Sequence, residues 1–230
     1  MRLAEKYCPV SLEDVVAQGP VRVLRNFARD PYSTCFLLEG PPGIGKTSAA
    51  MALAHDLGCH EGPWGGLITT CCSELGVNES REMLRQLSFR PGTSSGFVVW
   101  LMEEMDYLSS QCQTFLKDAL EKRLPRHAIV IACTNDSGKI GRALRDRFTP
   151  LFFSGGETFR EGAEERLRDI WESEMGLLPD SARMPFPQMV VDMAIADDQT
   201  FSMRRAMDLM QRHMLSAIDL DAVVGKAVTA

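Results

Sequence analysis

The segment Gly40-Pro41-Pro42-Gly43-Ile44-Gly45-Lys46-Thr47 fits the template G-x-x-x-x-G-K-[ST] at every position. Before it runs the apolar, strand-like Cys35-Phe36-Leu37-Leu38. After it comes Thr47-Ser48-Ala49-Ala50-Met51-Ala52-Leu53-Ala54, rich in helix formers. Strand, glycine loop and helix in this order aim backbone N–H groups at a phosphate and set a helix N-terminus behind it. The glycines permit the close approach and the dihedrals that side chains forbid. The expectation is a nucleotide held by Pro42, Gly43, Ile44, Gly45, Lys46, Thr47 and Ser48. Lys46 would reach the β- and γ-phosphates, and the Thr47 hydroxyl would ligate Mg²⁺.

The chain has 230 residues, 45% hydrophobic and 24% charged, values ordinary for a soluble globular protein. Its apolar runs, such as Phe97-Val98-Val99-Trp100-Leu101-Met102, are strand-sized, which points away from a membrane. Arg2, Glu5 and Lys6 open the chain with no apolar core behind them, so no signal peptide is read there. The seven cysteines include no C-x-x-C pair, which suggests reduced thiols and a cytoplasmic, or nucleoid-associated, setting. Cys59-His60 and Cys71-Cys72 match no standard zinc spacing. The net charge of −6 excludes a generally basic nucleic-acid binder. A DNA partner would need a local basic face, drawn from Arg81, Arg85 and Arg90 or from Lys117, Lys122 and Arg123; a solvated helix face is the favoured reading of each group.

Strands are expected at Cys35–Leu38, Leu67–Cys71, Val98–Met102, His127–Ala132 and Leu151–Phe153, with helical stretches between them at Glu79–Leu87 and Cys112–Leu120. The alternation predicts an α/β fold: a five-stranded parallel sheet with helices on both faces, and ligands at the carboxyl ends of its strands. After Ser154-Gly155-Gly156 no strand pattern remains, and Phe159–Glu174, Pro185–Ala196 and Phe201–Ala217 read as helices. The expected organisation is a nucleotide-binding αβα domain over 1–154 and a small helical lid over 155–230.

Later features address hydrolysis. The strand Val98–Met102 ends in Glu103-Glu104, where Mg²⁺ coordination and water activation are needed; Glu104 is the candidate general base. The next strand ends at Asn135, whose amide can position water or sense the γ-phosphate. Ala143-Leu144-Arg145-Asp146-Arg147-Phe148 places an arginine where it can reach a neighbouring subunit's nucleotide. Arg204 and Arg205 open a helix in the second domain.

These residues carry a resemblance. Glu5-Lys6-Tyr7-Cys8-Pro9, Leu12-Glu13-Asp14-Val15-Val16-Ala17-Gln18 and the phosphate loop resemble the E-K-Y-R-P, L-x-D-V-V-G-Q and G-P-P-G-x-G-K-T opening of clamp-loader ATPase subunits: the replication factor C small subunits and the bacterial gamma/tau subunits, within the AAA+ P-loop NTPases. Leu101–Ser109, Ala143–Phe148 and Ser202–Gln211 resemble that family's L-x-D-E-A-D-x-L, S-R-C and sensor-2 segments. The resemblance implies ATP as ligand, with adenine near Tyr7, Pro9, Val15 and Val16. Glu103 and Thr47 would hold Mg²⁺, Glu104 would activate water, Asn135 would place it, Arg204 would read the γ-phosphate and Arg147 would act in trans within a homo- or hetero-oligomer. DNA and a sliding clamp are the implied partners. Glu103 stands where the family has Asp, Asp146-Arg147-Phe148 replaces Ser-Arg-Cys, Cys8 replaces Arg, Ala17 replaces Gly, and the zinc cysteines of the gamma/tau type are missing. The chain ends about where the family's collar domain would begin, so either assembly differs or the family activity does not carry over. Two other readings remain open: a nucleotide-switched scaffold with little turnover, and another AAA+ remodeller such as a helicase loader.

Overall fold

The computed structural model describes residues 1–178, 180, 183–195 and 200–217. It divides into two compact units, Pro9–Ser154 and Met1–Cys8 together with Gly155–Ala230.

In the first unit five strands, β1 (Thr34–Glu39), β2 (Leu67–Cys71), β3 (Val98–Glu103), β4 (Ala128–Thr134) and β5 (Thr149–Phe152), form one sheet in the order β2-β3-β4-β1-β5. Every pairing is parallel. A parallel sheet has both faces covered, so its inner strands read as continuous apolar runs. All seven residues of β4 are buried, as are the first five of β3. Leu37, Trp100, Met102, Val130 and Ala132 face one side, against Leu84 and Leu87 of α4 (Val77–Leu87) and Leu116 and Leu120 of α5 (Ser110–Arg123). Between them on the strands, Val99, Leu101, Ile129 and Ile131 are fully buried, and α3 (Lys46–Asp56) packs on β3 and β4. Its buried residues are mostly alanines, which let helix and sheet approach closely. α2 (Gly19–Arg29) lies against α3, and α6 (Arg142–Arg145) follows α5.

The second unit contains α1 (Leu3–Lys6), α7 (Glu157–Met175), α8 (Met189–Met193) and α9 (Met203–Ala217). Phe159, Leu167, Ile170, Trp171, Phe201 and Met210 are buried in it. The opening helix is tied in by hydrogen bonds from Leu3 N to Gln211 Oε1 (2.7 Å) and from Tyr7 Oη to Glu174 Oε1 (2.7 Å), and by the Lys6–Glu174 ion pair.

Several expectations shift. The first eight residues, expected in the 1–154 domain, cluster with the helices after Gly155, because Leu3 buries against that unit and its polar neighbours find partners there. The helix expected over Pro185–Ala196 is only Met189–Met193. Pro185 and Pro187 disfavour helical backbone in the residues before them, and Ala196 lies outside the described residues, as do residues 218–230 of the expected lid. Phe201 does not begin the last helix. It forms a bridge with Ile195, and the helix starts at Met203. β4 runs on to Thr134 and β5 starts at Thr149.

Among the described residues no helix is long and apolar enough to cross a membrane. All seven cysteines are free thiols. Burial pushes Cys35, Cys72 and Cys133 up to about 12 and Cys59 to about 11, from an ordinary 9.0. These thiols keep their protons in the folded state at pH values where the unfolded chain has lost them. Their contribution is therefore complete below pH 9 and is lost as pH rises toward 11–12. Urea unfolding under reducing conditions should show stability falling across that window by about 1.4 kcal/mol per pH unit for each such thiol. Replacing Cys35 and Cys72 by Ala should flatten the slope.

Candidate functional site

The phosphate loop leaves the carboxyl end of β1 and enters α3. Gly40 has φ 153°, and a Cβ there would lie 2.3 Å from the carbonyl oxygen of Phe153, so only glycine fits beside the end of the sheet. Gly45 caps α3 in the left-handed region at φ 94°, and no side chain caps the helix. The first-turn N–H groups therefore have no intrahelical acceptor and form an anion cradle. Ile44 is fully buried, so it can offer a phosphate only its backbone. Pro42 is exposed, and Thr47 and Ser48 are half-buried.

Lys46 is only 7% exposed. Its ammonium donates to Gly40 O at 2.6 Å, Pro41 O at 2.7 Å and Asn135 Oδ1 at 2.9 Å. The adjacent pairing of β1 and β4 brings Asn135, which follows β4, to the loop that follows β1. Two expected site residues, 89 positions apart, thus meet in one hydrogen bond.

Glu103 ends β3, paired with Cys71 of β2. Glu104 follows with φ 55° and ψ 49°, the only left-handed non-glycine among the described residues. Such a conformation costs roughly 1–2 kcal/mol and clusters at functional positions. Its carboxylate is exposed and accepts from Cys71 Sγ at 3.7 Å. Cys133, the penultimate residue of β4, is fully buried. Burial raises its pKa, with Lys46, Glu103 and the Thr47 hydroxyl close enough to act on it as well. Thr47 lies in the first turn of α3 and Glu103 at the end of β3, both at the carboxyl edge of the sheet. Among the described residues no three His, Cys, Asp or Glu side chains could hold a metal by themselves. A hydroxyl and one carboxylate beside phosphate oxygens are the kind of partial donor set on which Mg²⁺ binds, so these residues fit it.

The remaining expected residues are distributed as follows. Arg147 pairs with Glu121 of α5 at 2.6 Å within its own chain. Val15 is buried, while Pro9 and Val16 are half-buried. Tyr7 and Arg204 belong to the other unit. There Arg204 is exposed, and burial followed by the hydrogen bond to Glu174 raises the Tyr7 hydroxyl above its usual pKa.

Two residues that together make four hydrogen bonds are not marked out by the sequence. Gln18 donates from Nε2 to Ile44 O (3.0 Å) and accepts from Ser154 N at Oε1 (3.3 Å). Asp106 accepts from the Thr134 hydroxyl and from Asn135 N. Both stand inside stretches singled out as motifs, but nothing local says what their side chains touch.

The ATPase family associated with various cellular activities matches residues 36–155. The replication factor C small subunit of Picrophilus torridus is 27% identical over 209 residues, 90% of this chain and 62% of its own length. That of Aeropyrum pernix is 30% identical over 228 residues, 97% of this chain and 66% of its own. The chain thus spans under two thirds of the length of these relatives. Among solved structures, the Thermotoga maritima Holliday junction branch migration motor RuvB superposes with a TM-score of 0.68 at 21% identity, covering 95% of this chain and 67% of that one. A Thermotoga maritima DNA polymerase III gamma subunit-related protein gives 0.55 at 11%, covering 81% and 68%. The matched stretch contains the phosphate loop, Glu103, Glu104 and Asn135, and the chain belongs to the ATPase family associated with various cellular activities.

Proposed function

We propose that this chain binds and hydrolyses ATP with Mg²⁺ and couples the cycle to assembly on DNA, in the manner of a clamp loader acting on a sliding clamp. The observation that carries the reading is the Lys46 ammonium, buried at the mouth of an uncapped helix and hydrogen-bonded to Asn135 of the neighbouring strand. A cation there has a purpose when a polyphosphate arrives: it faces the charge that develops on the transferring group. Mg²⁺ would neutralise phosphate charge. Glu104 would accept the proton of the attacking water, Asn135 would orient that water, and Glu103 and Thr47 would hold the metal. Pro9, Val15 and Val16, which share the unit of the phosphate loop, are assigned to the base. Arg147 is assigned to a neighbouring subunit's site. Its ion pair with Glu121 is half-exposed, and such pairs are worth roughly 0–1 kcal/mol, which a phosphate can outcompete. The relatedness to replication factor C small subunits supports the choice of partners.

Lys46→Ala should abolish binding of a fluorescent ATP analogue. Titration giving an affinity close to the parent's would remove the loop as the site.

Glu104→Gln should keep the analogue bound and lose turnover by roughly 10²–10⁴-fold, since the amide cannot take the proton. Steady-state phosphate release at the parent rate would transfer the role to Glu103. The same assay with and without primed DNA separates an ATPase from a scaffold with little turnover, and co-precipitation with a sliding clamp separates a loader from another remodeller.

Arg147→Ala should bind ATP and lose hydrolysis, by about 10³–10⁵-fold if the arginine acts in trans. Mixing it with Lys46→Ala should restore activity that neither variant has alone. A mixture as inactive as its parts would assign Arg147 to its own subunit and withdraw the trans arginine from the proposal.

A further inference from the structure

Asp106 is a buried carboxylate that the hydrolytic scheme above does not use. It lies in the 3-10 turn Met105–Tyr107 that follows Glu104. Its side chain is 4% exposed, and the neighbouring Met105 is fully buried. Oδ1 accepts from the Thr134 hydroxyl at 3.0 Å and from the Asn135 backbone N–H at 3.3 Å. Oδ2 faces the Lys139 ammonium at 4.0 Å. The Thr134 hydroxyl accepts in turn from Asp136 N at 3.1 Å. One carboxylate thus stitches the chain as it leaves β4, and does so on both sides of the peptide that carries Asn135. Burying a carboxylate is costly unless it is hydrogen-bonded, so the turn keeps Asp106 satisfied only while 134–136 keep this shape.

Asn135 itself is exposed. A solvent-facing asparagine on a loop would ordinarily sample several rotamers and backbone states. Here its Oδ1 is presented to Lys46 at 2.9 Å. We infer that Asp106 is a positioning residue: from the end of β3 it fixes the Asn135 backbone so that the Asn135 amide stays aimed at Lys46 and at the reacting phosphate. The carboxylate links the strand carrying Glu104 to the strand carrying Asn135, so the candidate base and the candidate water-orienting group move as one piece. The inference rests on the ATPase reading for its consequence, and on geometry alone for the positioning.

The test uses the full chain with Asp106→Ala and Asp106→Asn. Asparagine keeps an acceptor oxygen for the Thr134 hydroxyl and the Asn135 N–H, and alanine does not. Amide exchange by NMR should find the Asn135 N–H protected in the parent and in Asp106→Asn, and exposed in Asp106→Ala, with the amides of Ile129 through Cys133 unchanged. Affinity for an ATP analogue should hold within about twofold while kcat falls roughly ten- to a hundredfold in Asp106→Ala, as expected of a misplaced group rather than a lost binding contact. Asp106→Asn should recover most of that loss. In an Asn135→Ala background Asp106→Ala should cost nothing further, because the two act through one group. Unchanged exchange at Asn135 would overturn the inference. So would deprotection spread along β4, or turnover losses that add independently to those of Asn135→Ala. A parent that binds ATP without turnover would withdraw the hydrolysis reading, and the exchange of Asn135 would then decide the role of Asp106 by itself.

Discussion

A lysine ammonium held almost entirely out of water is the constraint around which the Pro9–Ser154 unit is arranged. Burying a charge is expensive unless it is paired and hydrogen-bonded. Lys46 meets that demand with two carbonyl oxygens of its own loop and one amide oxygen from the residue that follows β4. The first of these carbonyls belongs to Gly40, whose backbone at φ 153° lies so close to Phe153 that no side chain fits there. The third acceptor exists only because β4 lies next to β1. Loop conformation, strand order and a buried cation are therefore one requirement seen from three directions.

The same edge of the sheet gathers the rest of the chemistry. Glu103 and Glu104 leave β3, Asn135 leaves β4, and the loop leaves β1, as ligand groups do at the carboxyl ends of parallel strands. The edge is stiffened by side chains that would not themselves meet a nucleotide. Asp106 braces the exit of β4, Gln18 braces Ile44 against Ser154, and the Ser137 hydroxyl donates to Glu39 at the end of β1. Strain is concentrated at Glu104, whose left-handed backbone turns the chain between half-buried Glu103 at the end of β3 and the buried Met105.

The thiols divide along the same lines. Cys35 and Cys133 lie inside the sheet and Cys72 just beyond it, all inert through burial. Cys71, half-exposed beside Ser73 and Glu104, is the cysteine in contact with the candidate base.

The amino-acid sequence by itself determined the phosphate loop, the five-strand alternation and the change to helices after Ser154, because each is written in local periodicity and local turn chemistry. Glu103, Glu104 and Asn135 were legible as strand-end polar residues for the same reason. The tertiary structure decided which strands are neighbours, since parallel pairing depends on how distant apolar faces share helices rather than on any pattern within a strand. That choice of β4 beside β1 put Asn135 on Lys46. It also gave Asp106 a role no spacing could announce, since a carboxylate one turn past a strand could equally well face solvent. The placement of Met1–Cys8 was tertiary too. A four-residue helix has no stability of its own, and it was assigned to the second unit by one buried leucine and by polar partners at Glu174 and Gln211, more than 160 residues along the chain.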